Sequence, residues 1–202
     1  YPALLVFFVL LFYPELLFVK AAPLVSDHWE QHYPWAFFLS ESLKNGTIPF
    51  WTPLLQCGFP IAAESQIGIY YLPNLLLFGL LPFHAAYSWQ LLVHFIFSGL
   101  ALYFYLRHLR LGPLPAFAGA FIFVFGTGYG GAYYNITSLK TISWLPFMLW
   151  SFESYVSGRR IRHLFFLSVS IGMSLVAGYM QVAILSLFTL TFYGLLRLLW
   201  IR

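Results

Sequence analysis

Between Ser26 and Pro73 the chain gathers most of the residues able to carry acid–base chemistry. Asp27 is the only aspartate, and Glu30, Glu41 and Glu64 are three of the five glutamates. His28, His32, Trp29, Trp35 and Trp51 stand among them, punctuated by Gly46, Pro49, Pro53, Gly58 and Pro60. A single carboxylate here can serve as a general base, taking the proton of an acceptor hydroxyl as that hydroxyl attacks. Asp27, immediately after the first apolar run, is the residue placed for that role. Its structural alternative is an N-cap for a turn opening at His28. His28 and His32 lie four apart with Glu30 between them, which is not the spacing of the zinc proteases, and Pro34 limits any helix here. They read as polar surface residues. The single Cys57 forms no internal disulfide and no thiolate cluster. Nothing calls for a cofactor, and a divalent metal has no ligand set to support it.

What must position these residues is apolar helix. The chain of 202 residues is 61% hydrophobic, 22% aromatic and only 8% charged, where a soluble domain carries roughly a quarter charged residues. Apolar runs long enough to cross about 30 Å of hydrocarbon recur, so the composition predicts an all-α integral membrane protein. The pI near 9.2 does not mark a nucleic-acid binder, because the basic residues are not clustered on one domain. The first residues lack the basic start and small-residue cleavage site of a signal peptide and read as a span. The absence of an initiator Met, and an end directly after an apolar run, read as a portion of a longer protein.

Six spans are expected in one transmembrane domain covering residues 1–202. The first runs from about Pro2 to Val19, kinked at Pro14, with Glu15 snorkelling or pairing with Lys20. The segment 26–73 follows as an outer loop carrying the active site. Within it, Tyr33 to Lys44 places Trp35, Phe38, Leu39 and Leu43 at helical spacing, with Glu41 and Lys44 elsewhere. This predicts a short amphipathic surface helix ended by Asn45-Gly46. Thr47 to Pro60 is expected to be an irregular loop with aromatic side chains at the interface. Ser65 to Pro82 reads as two short helices interrupted at Pro73-Asn74. Further spans are expected at His84 to Leu106, Leu114 to Tyr134, Thr141 to Val156, Leu164 to Ala177 and Val182 to Trp200. The glycine run 126–131 lies inside an apolar span and reads as helix packing rather than a phosphate loop.

Charge sets the orientation. Arg107, Arg110, Arg159, Arg160, Arg162, Arg197 and Arg202 fall on one side of this arrangement, and Lys20, Lys44 and Lys140 on the other. The positive-inside rule then puts the Asp27 loop outside the cytoplasm. Asn45-Gly-Thr and Asn135-Ile-Thr match the glycosylation acceptor pattern on that side, although matches so short arise by chance. Nucleotide sugars and ATP are absent there, so a group-transfer enzyme needs a donor delivered through the membrane, such as a sugar on a polyprenyl phosphate. The phosphate leaves readily, so one base suffices. Lys140 and Lys44 could balance the lipid phosphate or act as interface anchors.

The blocks SDHWEQHYPW (Ser26 to Trp35) and NGTIPFWTPLLQCGFPIAAESQIGIYYLPN (Asn45 to Asn74), with ISWLPFMLWSFE (Ile142 to Glu153) and LVAGYMQ (Leu175 to Gln181), resemble the YfhO-type bacterial membrane proteins. That family is related to the GT-C glycosyltransferases. The resemblance covers most of the chain. It implies a GT-C-type multi-span bundle acting as an inverting glycosyltransferase, with polyprenyl-phosphate sugar as donor and a cell-envelope polymer or lipid as acceptor. It assigns Asp27 the role of the acidic residue of the first outer loop. The expected substrate-binding residues are Glu30, Gln31, His32, Tyr33, Trp51, Glu64, Gln66, Lys140 and Gln181. Tyr179 stands where the family's G-H-x-Q pattern has histidine, and members of the family run far beyond this length. A transporter or flippase of a lipid-linked intermediate, or a non-catalytic assembly subunit, are the rival readings. The first would need ionisable residues at mid-span, where His94 is the main candidate.

Overall fold

The computed structural model describes residues 1–19, 28–55, 57–126 and 135–200. Asp27, Lys20, Arg202, Gln56 and glycines 128, 130 and 131 of the glycine run lie outside them. The described residues are helical, with no strand beyond an isolated antiparallel bridge between Thr52 and Phe59.

The first apolar run divides into α1 (Pro2–Phe12) and α2 (Pro14–Leu17) at Tyr13, because Pro14 has no N–H to continue the first helix and instead opens the second. A π-helical turn, His28–His32, runs directly into α3 (Tyr33–Lys44), with Pro34 in its first turn. Pro34 therefore sits at the junction of the π-helical turn and α3, where its missing N–H goes with a change of helix type and not with a break. As the amphipathic spacing predicts, α3 buries Ala36 and Leu39 and packs Trp35, Phe38 and Leu43 against the core. Its Glu41–Lys44 pair at 3.7 Å is exposed and contributes little. Two 3₁₀ turns, Ile61–Ala63 and Ser65–Ile67, lead to α4 (Leu72–Leu80). The segment forms two short helical pieces as expected, but the break falls at 68–71 and not at Pro73-Asn74. Pro73 lies in the first turn of α4, and Asn74 turns inward.

The central helix is α5 (Phe83–His108), 26 residues long and buried along much of its length. Against it pack α1, α6 (Pro113–Phe125) and α8 (Leu145–Gly158), preceded by the short α7 (Ile136–Ile142). The expected single span 141–156 is thus interrupted at Ser143-Trp144, just ahead of Pro146. Asn135 caps α7, its Oδ1 accepting from Ser138 N and Thr137 Oγ1 at 2.9 Å each, so the residue of the second acceptor motif is occupied locally. α9 (Ile161–Val176) and α10 (Met180–Trp200) complete the chain. Of these helices α5 and α10 are long and apolar enough to cross a membrane, at about 39 and 31 Å by the 1.5 Å rise per residue. α1, α6 and α9 are apolar but shorter.

The second described ion pair, Glu153–Arg197, lies at one end with its carboxylate buried. Glu153, 2% exposed, accepts a bifurcated hydrogen bond from the single Nε–H of Arg197, 3.0 Å to each carboxylate oxygen, one from Arg197 Nη2 at 2.8 Å and one from Tyr193 at 2.7 Å, tying α8 to α10. His108 Nε2 lies 3.4 Å from Ser157 Oγ, joining the ends of α5 and α8. Arg107, Arg110, Arg159, Arg160 and Arg162 flank these helix ends.

The α9–α10 turn is held at the opposite end. Gly178 has φ +111°, and a Cβ there would stand 2.3 Å from the Ser65 carbonyl oxygen and 2.8 Å from Gln66 Cα. Ser65 Oγ donates to the Gly178 carbonyl at 3.0 Å. Gly178→Ala is expected to destabilise the protein by at least about 2 kcal/mol, since the backbone on both sides must shift and the φ is unfavourable to alanine. Thermal unfolding in detergent measures it; Gly172→Ala, which meets nothing within 4 Å, is the control expected to change little.

Candidate functional site

The chain places its most unusual charge at the contact between α7 and the 61–71 segment. Lys140 is 3% exposed. Its Nζ lies 5.9 Å from the centroid of the Tyr71 ring, a cation–π distance. The pocket around it is lined by His32, Trp35, Gln66, Asn74, Tyr87 and Gln90, with Ile67, Phe78 and Ile136 as apolar walls. Burial pushes the amine down from its usual range to about 7, because removing an ammonium from water without a compensating anion disfavours the charged form. Among the described residues no carboxylate lies within 4 Å of it: the ion pairs are Glu41–Lys44 and Glu153–Arg197.

The walls are held by hydrogen bonds whose direction follows from chemistry. The Gln90 carbonyl can only accept, so His94 Nδ1 carries the proton of that bond. In the neutral ring Nε2 is then an acceptor, and the Tyr71 hydroxyl donates to it at 2.6 Å. Tyr71 oxygen in turn accepts from Trp144 Nε1 at 2.8 Å. The chain Trp144 to Tyr71 to His94 to Gln90 fixes the ring beneath Lys140. Asn74 Nδ2 donates to the carbonyls of Ile67 and Gly68 at 3.1 and 3.2 Å, and its buried Oδ1 has no partner among the described residues. Gly68, at φ +65°, brings bare backbone to the pocket: a Cβ there would stand 2.7 Å from Asn74 Nδ2 and 3.6 Å from Lys140 Nζ. The void itself is about 10 Å³, room for one water at most.

A larger cleft of about 290 Å³ opens beside it, lined by Glu30, Gln31, Trp35, Leu55 and Phe59. Trp35 walls both spaces, and Gln31 Nε2 donates to Gln66 Oε1 at 3.2 Å across the boundary. His28 is fully buried and within 2.9 Å of the Tyr87 hydroxyl. The two histidine rings lie 5.9 Å apart. They are therefore interior groups, not the surface residues their sequence predicts, and among the described residues no group of three or more His, Cys, Asp or Glu is gathered as a metal site would need.

The expected substrate-binding residues thus divide. Glu30, Gln31, His32, Gln66 and Lys140 come together around Trp35. Tyr33 points to His84 Nδ1 at 3.2 Å and packs among Phe83 and Tyr87. Glu64 caps the second 3₁₀ turn, accepting from Gln66 N at 3.2 Å. Trp51 is exposed and covers Gly58, and Gln181 is exposed on the first turn of α10; neither lines the pocket or the cleft. Asp27, the expected base, is outside the described residues. Tyr71, Asn74, Gln90 and Trp144 are not among the expected site residues, and His94 enters the sequence reading as the main mid-span candidate of the transporter alternative. The spacing of Gln90 and His94, four apart inside an otherwise apolar run, is the signal that marks them.

No protein-family model, no curated protein and no solved structure matches this chain.

Proposed function

We propose that this chain belongs to a multi-pass membrane glycosyltransferase of the YfhO type, moving a sugar with inversion from a polyprenyl-phosphate donor to a cell-envelope acceptor. The observation that carries the reading is Lys140, a buried amine with no described carboxylate beside it, in a polar pocket of a strongly apolar helical protein. An anion is the ligand such a site lacks, and in a membrane the anion at hand is a lipid phosphate. In the proposed reaction Asp27 takes the proton of the acceptor hydroxyl, whose oxygen attacks the anomeric carbon. The bond from that carbon to the donor phosphate breaks, and the phosphate leaves with the electron pair, stabilised by the Lys140 ammonium. The cleft at Glu30 and Gln31 is the space for the sugar end of the donor. His94, with both nitrogens in hydrogen bonds, offers no mid-span coupling group, which favours transfer over transport.

The reading makes the shorter apolar helices membrane segments alongside α5 and α10, with the arginine-rich end cytoplasmic. In a Cys57→Ser background, a membrane-impermeant thiol reagent applied to intact cells is expected to label a cysteine at Asn45 and spare one at Gly158. Labelling of Gly158 alone reverses the orientation and removes the argument for a lipid-borne donor. The activity itself is tested by sugar transfer from a labelled polyprenyl-phosphate donor in proteoliposomes of the full-length protein. Movement of the intact lipid-linked sugar across the bilayer without transfer would select the flippase reading.

A further inference from the structure

We propose that the Lys140 site binds a singly charged phosphodiester and, above neutral pH, takes up a proton with it, the amine being mostly neutral at pH 8 when the site is empty and an ammonium when the anion is present. The proposal rests on the reading of Lys140 as the donor-phosphate residue and adds the protonation state that goes with it.

Three features of the pocket carry it. The first is the absence of a described carboxylate within 4 Å of Lys140, together with a void of about 10 Å³. An ammonium has three donors to satisfy, and the pocket offers it one water, the face of the Tyr71 ring and neutral amide oxygens such as Asn74 Oδ1, but no negative charge among the described residues. The second is the identity of the facing groups. Gln66 and Asn74 are neutral amides, the π-helical turn presents His32, and α5 presents Tyr87, Gln90 and His94. α9 and α10 meet the far side of α7 through Ser174 Oγ, donating to the Thr141 carbonyl, and Tyr179 N, donating to Thr141 Oγ1. No described group there supplies a negative charge.

The third is the fixed direction of the hydrogen-bond chain. Tyr71 has committed its proton to His94 Nε2, and His94 Nδ1 donates to Gln90. Protonating His94 would set a hydrogen-bearing Nε2 against the Tyr71 hydroxyl and break the chain. Lys140 can take a proton from solvent onto its Nζ lone pair with no such rearrangement. The depression of its amine to about 7 agrees with this geometry. A phosphodiester supplies the missing charge and acceptors, and it does not itself titrate near neutrality. For the anion to enter, the Gln31–Gln66 hydrogen bond must open and Trp35 must swing toward the larger cleft.

The test is calorimetric titration of the full-length protein in nanodiscs with farnesyl methyl phosphate, in buffers of differing ionisation enthalpy. Lys140→Met serves as the blank for partition into lipid. The expected result is uptake of about 0.9 proton at pH 8 and about 0.1 at pH 6, with affinity falling roughly tenfold per pH unit above 7. Lys140→Arg, permanently charged, is expected to bind with neither uptake nor pH dependence. Dimethyl phosphate should compete only at about a thousandfold higher concentration, each buried methylene of the lipid adding to affinity. Equal potency would overturn the lipid source. Saturable binding without proton uptake overturns the proposal and leaves the donor-phosphate reading standing. Uptake that persists in Lys140→Arg assigns the proton to another group, such as His32, the histidine that lines the pocket, and also overturns it. Absence of saturable binding at every pH removes the donor-phosphate reading and the proposal together.

Discussion

Asp27→Asn in the full-length protein is expected to reduce sugar transfer at least about 10²-fold, the usual contribution of a positioned general base. Asparagine keeps the size of the side chain and an oxygen that accepts hydrogen bonds. A capping role at the turn opening at His28 would therefore survive at a cost of a few tenths to about 1 kcal/mol. Donor binding should change little, because the carboxylate meets the acceptor hydroxyl and not the donor phosphate. Relief of repulsion toward that phosphate can even tighten binding. The measurement is single-turnover transfer from a polyprenyl-phosphate sugar, alongside thermal unfolding of the variant. A well-folded Asp27→Asn protein with near wild-type transfer removes Asp27 as the base and directs attention to Glu30, which is exposed at the mouth of the larger cleft.

Lys140→Met is expected to do the opposite to the two observables. Donor affinity should fall by at least about 30-fold, since removing one partner of a buried charge pair costs about 2–5 kcal/mol. Stability of the unliganded protein should hold or rise, because methionine fills the same volume without burying an amine. The pH dependence gives a sharper reading. The Lys140 amine is lowered from 10.5 to about 7 in the folded chain, so between those values the unfolded state binds more protons. Stability from this group therefore rises with pH across that window and is at its lowest below about pH 7. In Lys140→Met that slope should disappear. If Lys140→Met instead unfolds readily at neutral pH while binding donor normally, the lysine is a structural cation.

Much of the scaffold was legible in the residues, and the reasons are local. The spacing of Trp35, Phe38, Leu39 and Leu43 identifies α3 at its observed bounds, because an amphipathic helix states its period within its own sequence. α5 is equally plain, a long apolar run closed by Arg107 and His108. Proline misled in both directions. Pro73 lies in the first turn of α4, where its missing N–H costs nothing, and Pro34 sits at a π-to-α junction without ending the helix. Pro14 and Pro146 instead mark breaks that shorten the expected spans. The pocket was the least legible part. Tyr71, His94 and Trp144 lie 23 and 73 residues from one another along the pairs that bond, and no local pattern records such pairing. Lys140 was noted for its charge, but its burial follows only from the packing of α7 under Gly68 and Asn74. Glu64 caps the second 3₁₀ turn, and one-dimensional spacing does not separate a cap from a site carboxylate.

The most direct test of the donor-phosphate assignment is photolabelling with a polyprenyl phosphate carrying a diazirine on the first isoprene unit, followed by mass-spectrometric mapping of the adducts. Lys140 as the phosphate partner predicts label concentrated in Gln66 to Asn74 and Ile136 to Trp144, competed by unlabelled polyprenyl-phosphate sugar and lost in Lys140→Met. Competed label confined to the outer faces of α10, with both pocket segments unmodified, would contradict it.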